Sequence, residues 1–69
     1  MKSLADINKE YEAVLHADLD QKQKNKKLSE LMTYLELHYK VPILSDPEWE
    51  RQNKAVIALY RKIAHSRNL

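Results

Sequence analysis

The 69-residue chain contains no cysteine, no glycine and no phenylalanine, and only two prolines. Each absence excludes something. Without cysteine there is no disulfide to staple a small domain and no thiolate to attack a substrate or ligate a metal, so stability must come from the core or from association. Without glycine, every turn must be built without the residue that takes positive φ freely. Primed hairpin turns and glycine-rich phosphate loops are therefore not available to it. No apolar run approaches the ~18 residues of a membrane span. The opening MKSLADINKEYE turns charged too early for a secretory signal. The expectation is a cytoplasmic protein with no cleaved segment and no membrane association.

What is present suits a single soluble helical domain. Hydrophobic residues make up 43% and charged residues 32%, a balance that allows folding rather than disorder. A chain this short buries only about 60% of its unfolded surface, which leaves its core marginal. The net charge of +2 is unevenly spread. Residues 1–21 carry two basic and five acidic side chains, residues 22–40 five basic and two acidic, and residues 41–69 five and three. So mild an asymmetry does not by itself call for nucleic acid.

Apolar periodicity predicts an all-α three-helix bundle, with helices at about 4–16, 19–40 and 47–65. Leu4, Ile7, Tyr11, Val14 and Leu15 mark the first helix, with Ser3 as N-cap and Asp6 at N3. The second opens on a polar run, QKQKNKK, after an Asp18–Gln21 capping-box spacing. Its stripe is Leu28, Leu31, Met32, Leu35 and Tyr39, and Val41-Pro42 ends it. A restart near Asn25 is the alternative. ILSDPEWE, residues 43–50, opens the third helix. With Asp46 as N-cap, Pro47 takes the favoured N1 position; with Ser45 as N-cap, Asp46 would have to be helical before proline, which is sterically disfavoured. Asp46 is therefore the expected cap. Trp49, Val56, Tyr60 and Ile63 face inward, flanked by Ile57 and Leu59, with Trp49 covering Leu44 or Ile43. The tail 66–69 is expected to fray.

Catalytic chemistry finds no foothold. The four serines sit at helix starts, on a polar face or in the tail, with no oxyanion loop beside them. Glu12, His16 and Asp20 follow at i+4 steps, as metal ligands on one face would, but the helix stops before Asp20 and exposed polar pairing explains them better. No catalytic residue, cofactor or metal is expected. Lys22, Lys24, Lys26 and Lys27, with Arg61, Lys62 and Arg67, form a candidate phosphate-contacting set. Wound on a helix, however, Lys24 and Lys27 leave the face of Lys22 and Lys26, and the connector from Lys40 to Asp46 is too long for a helix-turn-helix. A solvated face is the preferred reading.

The apolar pattern of the second helix carries more. Leu37 projects about 160° from the centre of the core stripe and Tyr34 about 100°, so one buried side cannot take them all. Tyr34, Leu37 and, on the wide face of the third helix, Leu59 are the candidate protein contacts. The expected function is a small interaction or regulatory module whose partner is another protein chain, with a homodimer as one form. A nucleic-acid-associated regulator is the alternative.

The unit LMTYLELHYKVPILSDPEWERQNKAVIALYRKI, residues 31–63, resembles in outline the helical hairpins that dephosphorylate response regulators in bacterial sporulation control. It has a helix, an apolar connector, a DPE-type helix start and a tyrosine-bearing second helix. That family carries a Ser-Gln-Glu-Leu-Asp signature whose acidic end does the work. Asn53-Lys54-Ala55-Val56-Ile57 stands in its place, so the resemblance covers about half the chain and carries over no catalytic residue. A phosphatase-like hairpin is the distant third reading.

Overall fold

The computed structural model describes residues 1–67. Four helices follow one another among them: α1 Leu4–His16, α2 Gln21–His38, α3 Pro47–Gln52 and α4 Lys54–Ser66. The all-α bundle is as expected, but the third expected helix is broken in two at Asn53.

The N-terminal ends of the first two helices are closed by reciprocal capping boxes. Ser3 and Asp6 close a reciprocal capping box on α1, with Asp6 N–H to Ser3 Oγ at 3.1 Å and Ser3 N–H to Asp6 Oδ2 at 3.2 Å. The Ser3 backbone N–H, and after it the Ser3 hydroxyl, holds the Asp6 carboxyl below its ordinary pKa. α2 starts two residues later than the spacing Asp18–Gln21 suggests, because the identical spacing Asp20–Gln23 forms the box instead. Its N-terminal turns are helical, so there is no restart near Asn25. At the other end α2 stops at His38, short of the expected Lys40. Tyr39 is the C-cap, and Lys40 takes φ 61°. This left-handed residue reverses the chain so that Val41 folds back into the core at 5% exposure. Asp46 caps α3, accepting from Trp49 N–H at 3.1 Å with Pro47 first in the helix. That is the expected register.

Long-range bonds give the helices their directions. Lys24 Nζ reaches the Leu15 carbonyl at 3.1 Å and Lys2 meets Tyr34 and Tyr39, so α1 and α2 run antiparallel. Glu36 meets Tyr60 and Ser29 meets Arg67, which sets α4 antiparallel to α2. Asn8 meets Lys62 and Tyr11 meets Ser66, so α4 is parallel to α1. The result is an up-down-up bundle around Ile7, Tyr11, Leu28, Leu31, Leu35, Val41, Val56, Leu59 and Ile63. Ile7, Leu28, Leu35 and Ile63 are fully buried. α3 packs against α4 and against no other helix. Ser66 closes α4 rather than fraying from it: its Oγ donates to the Lys62 carbonyl at 3.1 Å, which leaves Tyr11 as donor in the 2.6 Å bond to Ser66. Asn68 and Leu69, the rest of the tail expected to fray, lie outside the described residues.

Candidate interaction surface

A concavity with an apolar floor lies along α1 and α2. It has a volume of about 540 Å³ and no α4 residue lines it. α1 contributes Ala13 and Val14, the connection after it Ala17 and Leu19, and α2 Leu31 and Tyr34. The small side chains at 13 and 17 keep the α1 wall low, and Leu19 is turned inward by the same four-residue connection that delays α2. Its rim carries one acid and one base from each side: Lys2 and Glu10, then Lys27 and Glu30. Such a crevice is neutral in sum and apolar at its base.

One end of the crevice is closed by an unusual hold on Lys2. Its backbone N–H donates to Tyr34 Oη at 2.7 Å, and its carbonyl accepts from Tyr39 Oη at 2.6 Å. Its ammonium pairs with Glu10 at 3.0 Å and sits 5.3 Å from the Tyr34 ring centroid. Tyr34 also meets the His38 ring at 4.2 Å between centroids. Both backbone polar groups and the charge of one residue are thereby satisfied by two tyrosines and a glutamate.

The candidate contact residues separate in the structure. Tyr34 lines the crevice half-buried, and Leu37, three residues on and therefore its neighbour on the helix surface, is 62% exposed. Leu59 does not share this surface. It is 8% exposed and belongs to the core, because α4 turns Val56, Leu59 and Ile63 inward and leaves Tyr60 at the edge bonding Glu36 at 2.6 Å. Burial first, then that bond, push the Tyr60 hydroxyl up to about 12. Trp49 is half-buried against the core, yet Ile43 and Leu44 are 97% and 80% exposed. They do not form the expected apolar cover with Trp49, since the left-handed Lys40 sends Val41 inward in their place.

The candidate phosphate contacts divide similarly. Lys24 caps the C-terminal end of α1 through Leu15. Arg61 bonds Glu50 at 2.6 Å, Lys62 bonds Asn8 at 2.8 Å above the Tyr11 ring, and Arg67 bonds Ser29 at 3.0 Å. Lys22, Lys26 and Lys27 are exposed without a charged partner among the described residues. Glu12, His16 and Asp20 fall on α1, its end and the α2 cap, and among the described residues no three His, Asp or Glu side chains converge as metal ligands. Among those residues, too, no helix is long and apolar enough to cross a membrane.

The residues that sequence reasoning missed are Ala13, Val14, Ala17 and Leu19. The only available signal was the pair of alanines four apart beside the core stripe of α1. In comparisons with known proteins, no family model, curated protein or solved structure matches this chain.

Proposed function

We propose that the chain is a small protein-interaction module, acting in the cytoplasm, whose contact surface is the crevice between α1 and α2. The observation that carries this reading is the crevice itself: an apolar floor of about 540 Å³ between two helices, with no helix of the described chain laid over it. A helix presenting an apolar face would complete a four-helix arrangement there. The balanced rim favours a partner of mixed charge, and a second copy of this chain meets that description. Leu37 would extend the contact at its edge.

Sedimentation across concentrations tests the reading, with Ala13→Arg as the blocking variant. Ala13 is exposed, so the arginine should leave thermal stability unchanged while filling the crevice. Leu37→Ala should weaken association and cost the monomer well under the ~2–5 kcal/mol of a core leucine deletion such as Leu35→Ala. A parent that stays monomeric at high concentration removes self-association. An Ala13→Arg chain that captures every partner the parent captures removes the crevice as the surface.

The nucleic-acid reading keeps one specific observation. Lys22, Lys26 and Lys27 are exposed over the first turns of α2 without an acidic partner among the described residues. Tight RNA or DNA binding that weakens steeply with salt, and is lost when Lys22, Lys26 and Lys27 become Gln, would replace the first reading with this one.

A further inference from the structure

A single residue, Asn53, separates α3 from α4, and the break contains neither proline nor glycine. In an unbroken helix the Asn53 N–H would donate to the Trp49 carbonyl, four residues back. Here the Asn53 side chain takes that carbonyl, Nδ2 to O at 2.9 Å, and the backbone N–H turns to Glu50 O at 3.2 Å. This is the competition by which asparagine interrupts helices, and it leaves Asn53 at φ −131°, ψ 48°.

The break leaves two open helix ends. No side chain caps α4, so its first N–H groups lack helical acceptors, while at the end of α3 Asn53 occupies the Trp49 and Glu50 carbonyls and those of Arg51 and Gln52 lack helical donors. In one helix running from Pro47 to Ser66 each end would satisfy the other. Against that change stand the half-buried Trp49 and the Arg61–Glu50 bond. α3 packs on α4 alone, and between them remains a crevice of about 580 Å³ lined by Ile57 and Ala58. The Arg61–Glu50 bond at 2.6 Å straps it. The connector beyond Val41 is also slack, with Ile43 and Leu44 exposed to solvent.

We propose that the α3–α4 junction is a two-position hinge: α3 either folds against α4, strapped by Glu50 and Arg61, or swings into line with it and carries Trp49 off the core. In the aligned state Glu50 and Arg61 are eleven residues apart, about 16 Å along the axis, so the strap and the straight helix exclude each other. The hinge lies outside the α1–α2 crevice and stands independently of the interaction reading.

The chain has no native cysteine, so Glu48→Cys and His65→Cys accept two spin labels uniquely. A straight helix sets these positions about 25 Å apart; the folded flap sets them closer. The full-length parent should show a main short distance with a longer minor one. Asn53→Ala, which removes the competing side chain, should move the main distance to about 25 Å and raise the helical circular dichroism signal. Arg61→Gln, which cuts the strap and leaves Asn53 in place, should enlarge the longer component. A single short distance in all three proteins overturns the hinge. Should Asn53→Ala fail to fold, Arg61→Gln decides alone.

Discussion

Lys40 is where the lack of glycine has a measurable cost. It sits one residue past the C-cap of α2 with φ 61°, a position glycine takes at many helix ends because it has no Cβ to crowd the following carbonyl. An L-residue held there loses about 1–2 kcal/mol. Lys40 is exposed, so its side chain offers little in return; the value of the conformation lies in bringing Val41 into the core. Lys40→Gly should remove the steric cost and add about 0.5–1 kcal/mol of backbone entropy in the unfolded chain. The net expectation is a stabilisation of about 0.5–1 kcal/mol, or roughly 2–8 °C in Tm for a domain this size. Two controls sharpen it. Lys40→Ala keeps a Cβ and should leave stability near the parent, whereas Lys40→Val places a β-branched residue where it is a steric outlier and should destabilise. Urea and thermal unfolding of all four proteins give the ordering Gly, then Lys and Ala together, then Val. If glycine gave no gain over alanine, or valine were as stable as the parent, the left-handed turn would not be what ends α2.

Two further outcomes follow from the caps and the tyrosines. Asp46→Ala should cost about 1 kcal/mol because it strips the acceptor from Trp49 N–H, while Ser45→Ala should cost much less; chemical denaturation of both variants reads the order, and its reverse would assign the cap to Ser45. With Tyr60 raised to about 12 from an unfolded value of 10.0, both states hold the proton below pH 10. Above it the unfolded chain releases a proton that the folded chain keeps, so stability should fall between pH 10 and 12. Tyr60→Phe should flatten that fall, and urea midpoints across the range would show whether it does.

The sequence by itself determined what depends on one or two turns of chain. The α1 limits follow from Ser3 and the Leu4–Leu15 periodicity. The Asp46 register follows from the steric rule before proline, and the burial of Leu28, Leu31 and Leu35 with Leu37 turned outward follows from the helical angle alone. Tertiary structure decided everything for which local signals were degenerate or mute. Asp18–Gln21 and Asp20–Gln23 are equal capping boxes; the second wins in a fold where Leu19 enters the α1–α2 crevice and Lys24 reaches the end of α1. Residues 47–66 carry no proline or glycine after Pro47, and the break appears where Asn53 competes for the Trp49 carbonyl while Arg61 holds Glu50. Leu59, not Tyr60, entered the core because the Tyr60 hydroxyl found Glu36 at its edge. Lys24, Arg61, Lys62 and Arg67 looked like free cations because their partners lie 9, 11, 54 and 38 residues away in sequence. Side-chain preference acts within a helical turn, whereas the choice between equal preferences falls to whichever neighbour the packed chain brings within hydrogen-bonding reach.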